Sequence, residues 1–512
     1  TESGSVTQAA TKPRGGTWTA PVNITAPGYA GYSADVAVDP AGNAVAVWRA
    51  NKGPAQVIQT ASMSAAGTWG PAENISPGLR EAHDPAVDLD PAGNAVAAWY
   101  AYDPSNDAIV EAARKPAGGP WGGYEELSDG GEDANAPAVA AGGAGAVVAW
   151  RRDSVTQASI GSPGPPWAKA VTISAPGEED VSEVRLDYDG AGNVVAVWTG
   201  EPKPAEQEVR VAKLPAGGGA FGAPQSISAS GIDSYAPEVA LNAAGAAAAT
   251  WEGVTTPFPV VQGAVAPVGA AWPTSTPLSL AAESPEYPSV AIDADGNALT
   301  IWRAASKPGQ AIQAAAFDAT GPEIGAVTLP KRPQAGRALS FSATVIDDWS
   351  ALGPVDWSFG DGGTAASGPS ATHSFKRQGR YTVTIAAVDA VGNTATATAT
   401  VVVGRALAKA KKVVPVRKGK ARLALRCPGT AVCSGGLKLT LGGAKKKKQQ
   451  QLAKRSKPIG KAKFTIRPGK KKVVAIKLKG TALDLLRDSG KLRARLSGNA
   501  VEARAVTLKP KP

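Results

Sequence analysis

Six tryptophans constrain this chain more than any other feature. Trp48, Trp99, Trp150, Trp198, Trp251 and Trp302 follow one another at intervals of 51, 51, 48, 53 and 51 residues. Each ends a short apolar run. The clearest copy is Asp39-Pro40-Ala41-Gly42-Asn43-Ala44-Val45-Ala46-Val47-Trp48, which returns at 90–99 and 189–198. The copy at 293–302 has Leu, Thr and Ile in the run, and weaker copies span 142–150 and 242–251. A period near 50 residues marks a repeat architecture in which each repeat is one supersecondary unit stacked on its neighbours.

Each repeat reads as four strands. A short first strand follows a proline, as at Pro85, Pro137 and Pro288. A tight Asp-x-x-Gly-Asn turn comes next, with Asp accepting backbone N–H groups and Gly taking the φ > 0 position. The second strand is apolar at every position, so both of its faces are covered. A flat sandwich would leave one face wet and show alternation, whereas in a propeller each blade lies between two others. The third strand is a run such as Val57–Ala61. The fourth carries an aromatic residue, Trp69, Trp121, Trp167, Phe221 or Trp272. Gly 59 and Pro 41, with few helix-forming runs, fit many short strands joined by turns. The expected fold class is all-β, with a six-bladed β-propeller over residues 1–318.

Trp18 sits in a fourth-strand pattern, Gly-Thr-Trp-Thr-Ala-Pro-Val-Asn-Ile-Thr, ahead of the first inner strand, and the sixth repeat lacks a clean fourth strand after Phe317. The N-terminal segment is therefore expected to supply the outer strand of blade six and close the ring, removing two sheet edges. The Asp-x-x-Gly-Asn turn resembles the repeats of secreted bacterial β-propellers. The Ser-x-Asp-x-Gly-x-x-Trp box of sialidases is missing, which does not support that enzyme family.

Residues 319–403 contain Trp357-Ser358-Phe359-Gly360-Asp361-Gly362-Gly363, then His373-Ser374-Phe375, Gly379-Arg380-Tyr381-Thr382-Val383 and Ala387-Val388-Asp389-Ala390-Val391-Gly392-Asn393. This stretch resembles the PKD domain at all four of its usual stations. The resemblance implies an immunoglobulin-type β-sandwich acting as an extracellular spacer or adhesive module. His373 lies in the motif and reads as structural. Asp347, Asp348 and Asp361 would offer calcium ligands if they gathered at one loop, but turn-capping accounts for Asp361, and no metal site is assigned.

Residues 404–512 alternate basic and apolar positions, as in Leu437–Leu441 and Val473–Leu478, with a short helical stretch over 481–487 and closing strands over 492–496 and 501–508. A second small β-sandwich is expected, with Cys427 and Cys433 bonded across a hairpin. It resembles the basic C-terminal immunoglobulin-like domains of secreted actinobacterial proteins. This segment holds 32 Lys/Arg against 3 acidic residues, a net of +29, whereas the remainder holds 22 against 40. Such asymmetry points to a basic module that meets an acidic partner. Lys445, Lys446, Lys447 and Lys448, with Lys470, Lys471 and Lys472, are the candidate anion-binding residues. Phe464 is the one aromatic residue of the segment, so base stacking on nucleic acid is not supported, and an anionic cell-wall polymer is the expected partner.

Histidine is nearly absent, with His83 and His373 alone. The sequence offers no Cys/His metal cluster and no phosphate-cradling Gly loop after a strand. No catalytic residue and no cofactor is assigned. The loops between repeats collect the candidate ligand-binding residues: Arg80, Glu81, His83, Asp84, Glu132, Asp133, Glu179, Asp180, Asp233, Tyr235, Glu286 and Tyr287. On the first strands Asp35, Asp88, Arg185 and Glu238 interrupt the apolar pattern and would line a mouth. The Asp293 turn is no EF-hand loop, because Ala304 stands where the twelfth-position Glu belongs. The chain starts at Thr1 without a basic-then-apolar leader and has no run of about 18 apolar residues. The expectation is a monomeric secreted or cell-surface protein, its signal peptide removed, whose propeller presents a face to a glycan or protein ligand. The alternative is a glycan-active hydrolase or lyase with paired carboxylates at the propeller mouth.

Overall fold

The computed structural model describes residues 5–511 apart from 14–15, 79, 143–144, 162–163, 165, 179–183, 205, 256–257, 281–283, 306–308, 364–365 and 443–456. The chain separates into two compact units, Thr1–Ala319 and Thr320–Pro512. No helix among the described residues is long and apolar enough to cross a membrane.

The first unit is built on the repeated turn. Asp39 Oδ1 accepts the Asn43 N–H at 2.8 Å and Oδ2 accepts the Asn43 side-chain amide at 2.7 Å, with Gly42 at φ 90°. The same pair of bonds forms at Asp90, Asp189 and Asp293. The Asn side chain has a second task. Its Oδ1 accepts a backbone N–H just past the third strand, from Ala65 in the first repeat and from Ala117, Ala216 and Ala319 in others. One motif thus folds the first hairpin and anchors the end of the next strand.

Around these turns the chain forms antiparallel meanders. The first sheet orders Ala30–Val38, Ala44–Lys52, Ala55–Met63 and Glu73–Asn74 from inner to outer strand. Four more sheets repeat that order, and a sixth stops after three strands, Pro285–Ile292, Ala298–Ala304 and Ala311–Phe317. Each sheet packs its forward face on the tryptophan face of the next. Val45, Val47 and Ile58 meet Val87, Leu89 and Trp99, and Val195 and Val197 meet Ala249 and Trp251. All six repeat tryptophans are buried, and the second strands of the first five sheets are covered on both faces, whereas Leu299 and Ile301 of the sixth are 41 % and 43 % exposed. Four of the indoles donate to a side chain on the adjacent third strand: Trp48 to Gln59, Trp99 to Glu111, Trp251 to Gln262 and Trp302 to Gln313. This is a propeller-type all-β arrangement, as the period and the two-faced strands indicate.

The N-terminal segment departs from expectation. Val22–Asn23 pairs with Gln8–Ala9, not with the sixth sheet. The Ile24 N–H donates to Thr7 O as Ile75 does to Ile58 O. Thr7 N–H donates to Thr25 Oγ1 as Ile58 N–H does to Ser76 Oγ. Residues 7–9 and 22–25 thus reproduce the third and outer strands of a repeat, and Ile24 with Ala9 packs against Trp48. Val22–Asn23 and Gln8–Ala9 form a two-stranded sheet of their own, and among the described residues no strand of the sixth sheet pairs with either. Trp18 is 67 % exposed. Val36 and Val38, on the tryptophan face of the first sheet, are 56 % and 61 % exposed, and Ile312 of the sixth sheet is 73 % exposed. Val87 and Leu89, the counterparts of Val36 and Val38 in the second sheet, and Ile58, Val110, Val209 and Val261, the counterparts of Ile312, are buried, because a neighbouring sheet covers them.

In the second unit, a four-stranded sheet orders Ala366–Ser367, Leu352–Ser358, Gly379–Asp389 and Thr394–Val403. Val355, Trp357 and Phe359 point inward while Asp356 and Ser358 face out. His373 stacks on Phe359, 4.1 Å between centroids, and bonds Asp361 at 2.9 Å, which makes it a structural histidine. Asp347 caps the Trp349 and Ser350 N–H groups. The last hundred residues form an eight-stranded sheet and helix α1 (Gly480–Ser489), which ends at Gly490 in the left-handed region. The two parts of this unit share one continuous apolar core. Cys427 and Cys433 form a disulfide. It does not cross a hairpin: Lys420–Arg426 and Cys433–Leu441 each pair with other strands, so the bond ties a connection between them.

Candidate functional site

The inner strands of the first unit share a feature that no periodicity reveals. In five of them the pairing register slips near the start, between Tyr32 and Asp35, His83 and Ala86, Asn135 and Ala138, Tyr235 and Glu238, and Glu286 and Ser289. Within each bulge a non-glycine residue takes positive φ: Ser33 (47°), Asp84 (44°), Ala136 (50°), Ala236 (47°) and Tyr287 (56°). Such a conformation costs about 1 kcal/mol per residue and re-aims the neighbouring side chains. In four of the five, proline follows, which fixes the next φ.

Residues at these bulges surround a cavity of about 520 Å³ between the inner strands. Asp35, Asp84, Arg185 and Glu238, from four different repeats, line it. Arg185 Nε donates to Glu238 Oε1 at 2.9 Å. Asp35 accepts the Val36 N–H and, across to the second sheet, the Val87 N–H at 2.9 Å. Two further inner-strand carboxylates make the same kind of bridge, Asp88 to Ala141 N–H at 2.8 Å and Asp187 to Leu241 N–H at 2.6 Å. Burial pushes Asp88 up to about 7, against its backbone bonds and assisted by the charges of Asp187 and Asp35. Asp187 is raised for the same leading reason. The axis therefore carries carboxylates that staple neighbouring sheets, and a mouth where acidic groups meet one arginine.

Beside the mouth lies an aromatic and basic rim. His83 stacks on Tyr100 at 5.1 Å and meets Tyr102 edge-on. Its Nδ1 lies 3.1 Å from Arg49 Nη1, and Arg49 sits over the Tyr32 ring. Burial lowers the His83 pKa, and the Arg49 charge lowers it further against Asp84 and Glu81, so the imidazole is neutral at neutral pH.

The sequence-derived candidates divide accordingly. Asp84, with Asp35, Arg185 and Glu238, lines the mouth; Glu81 and His83 belong to the rim, 3.9 Å apart. Arg80 does not face the mouth cavity. It pairs with Glu126 and with the fully buried Glu111, whose other oxygen holds Trp99. Asp133 and Asp233 cap the Ala108 and Gln207 N–H groups of third strands. Glu132 pairs with Arg152. Glu286 pairs with Arg303, which also covers the Tyr287 ring. Tyr235 is on the inner strand of the fifth sheet, at its bulge. Glu179 and Asp180 lie outside the described residues, as do Lys445, Lys446, Lys447 and Lys448. Lys471 and Lys472 open the exposed start of strand Lys471–Lys477, next to Lys470, and Lys472 Nζ donates to Thr465 O. Arg49, Tyr32, Tyr100 and Tyr102 were not among the candidates. Arg49 and Tyr100 directly follow the repeat tryptophans, so the variable position after each Trp was the available signal.

Residues 319–403 match the family model of the PKD domain. No curated protein sequence matches the chain. Among solved structures, it is similar to a Dyadobacter fermentans protein of unknown function (15% identity, 56% of this chain and 94% of that one, TM-score 0.39). It is also similar to the NanB sialidase of Streptococcus pneumoniae (10% identity, 58% and 70%, TM-score 0.38). A third likeness is to an endo-arabinase of Bacteroides thetaiotaomicron (16% identity, 44% and 89%, TM-score 0.28).

Proposed function

We propose that the first unit is a six-bladed propeller whose mouth binds a glycan. In this reading the PKD domain serves as spacer in a secreted or cell-surface protein, and the basic C-terminal module contacts an anionic wall polymer. The observation that carries it is the mouth itself. Asp35, Asp84, Arg185 and Glu238 converge on one concavity of about 520 Å³, beside the tyrosine rings of the rim. Carboxylates and an arginine supply directional partners for sugar hydroxyls, and aromatic faces cover the apolar face of a pyranose ring. The disulfide and the lack of a spanning helix among the described residues accord with an extracellular location.

A second reading, a glycan hydrolase or lyase, is favoured by the three carboxylates gathered in that concavity. Glycoside hydrolysis needs two, ~5–10 Å apart. One experiment tests both. The full chain is screened against a glycan panel for binding and for release of new reducing or unsaturated ends. Binding lost in Glu238→Gln and Arg185→Ala, without turnover, supports the binding module. Turnover lost in Asp84→Asn or Glu238→Gln supports the enzyme. Binding that survives all three substitutions places the ligand elsewhere and rejects the mouth.

A further inference from the structure

The C-terminal module holds a second concavity, of about 630 Å³, in which basic side chains converge. Arg493 and Arg495 stand two residues apart on strand Leu492–Gly498, so they share its outer face while Leu492, Ala494 and Leu496 enter the core. Across the ladder they face Thr507 and Ala505, small residues that form a floor between the arginine walls. Lys412, Gly442, Ala503 and Arg504 line it as well, with Arg504 opposite Leu496 in the ladder and so on the core face of its strand. The Arg504 guanidinium donates to Ala410 O, and the Thr507 N–H donates to Lys412 O at 2.8 Å, which ties both cationic residues to the sheet. Among the described residues no acidic side chain lines the cavity. Glu502, the nearest in sequence, is engaged by Arg337 at 2.5 Å.

Four cations in one hollow without a counter-charge repel one another, and a multivalent anion relieves that repulsion. Two guanidinium forks and a hydroxyl match the several acceptor oxygens of a tetrahedral anion better than single ammonium groups do. We propose that this cavity binds the phosphate groups of a phosphodiester-linked glycan or polyol polymer. The proposal rests on the wall-contact reading of this module and moves its site from the lysine runs to Arg493, Arg495 and Lys412. Nucleic acid shares the phosphate, but Phe464 is buried and no aromatic ring lines the cavity, so bases find no stacking surface.

The test is equilibrium binding of the full chain to poly(glycerol phosphate), with neutral dextran and single-stranded DNA in parallel. Arg493→Ala/Arg495→Ala should weaken polymer binding about tenfold, and Arg493→Lys/Arg495→Lys, which keeps the charge but not the forks, several-fold. Lys470→Gln/Lys471→Gln/Lys472→Gln removes more charge, yet should change binding less than about threefold. Inorganic phosphate should compete better than chloride at equal ionic strength. The double arginine variants must keep the parent's thermal midpoint; if alanine does not fold, the lysine pair carries the test alone. Polymer binding that survives the arginine variants, or falls further in the lysine variant, overturns the site while leaving wall contact standing. No polymer binding even at low salt rejects both. Equal affinity for DNA replaces the polymer with nucleic acid.

Discussion

At the scale of single residues, the inner-strand carboxylates do two jobs. Asp35, Asp88 and Asp187 each reach from one sheet to the backbone of the next, and Asp35 also lines the mouth. Asp88 is the most perturbed, held at about 7 by burial. Its folded value lies above the unfolded one, so the folded state binds the extra proton between the two. Stability from this group is full below about pH 4, is lost as the pH rises toward 7, and changes no further above that. The loss should be about 4 kcal/mol. Asp88→Asn should therefore flatten the pH dependence of first-unit unfolding between pH 4 and 7, measured by denaturant titration at several pH values. An unchanged slope would show that Asp88 ionises normally.

At the scale of elements, the N-terminal pair is the informative case. The pattern at Val22–Thr25 reads as the outer strand of the sixth sheet, whereas in the structure Val22–Asn23 pairs with Gln8–Ala9. Gln8–Ala9 resembles a third strand only through register and the Thr7–Thr25 bond, and two residues of strand are too few for a periodic signal. Ile24 carries the energetics, since it is buried against Trp48. Ile24→Asp should cost about 3 kcal/mol in first-unit stability, by placing an unpaired charge in an apolar contact. Val22→Asp should be nearly neutral, because Val22 is exposed. Tryptophan fluorescence during urea unfolding reads both. Equal effects would mean that the pair does not cover Trp48 in solution.

At the scale of the whole molecule, all the cysteine lies in the second unit, whose two parts share one core. Calorimetry should therefore show residues 320–512 melting as one cooperative transition. Reducing the Cys427–Cys433 bond should destabilise that transition by about 2 kcal/mol, the value for so short a loop, and leave the first unit's transition in place. Separate melting of the PKD domain and the basic module would mean that the shared core does not couple them.

The sequence by itself determined the repeat, the turn and the buried two-faced strand. Each is a local pattern: Asp and Asn sit within bonding reach of their own turn, and an evenly apolar strand has only one stable environment. Asp35, Asp88, Arg185 and Glu238 break that pattern and are expected at a mouth; Asp35, Arg185 and Glu238 line the cavity, while Asp88 instead accepts the Ala141 N–H of the next sheet. Tertiary structure alone decided which strand pairs with the N-terminal segment, that Arg80 serves a buried glutamate, and that the disulfide ties a connection. It also decided that Arg493 and Arg495 share one face beside Lys412 while the more conspicuous lysine run at 470–472 opens an exposed strand. Charge runs are visible along a chain, but convergence depends on which strands a sheet brings together, and that is set by long-range pairing.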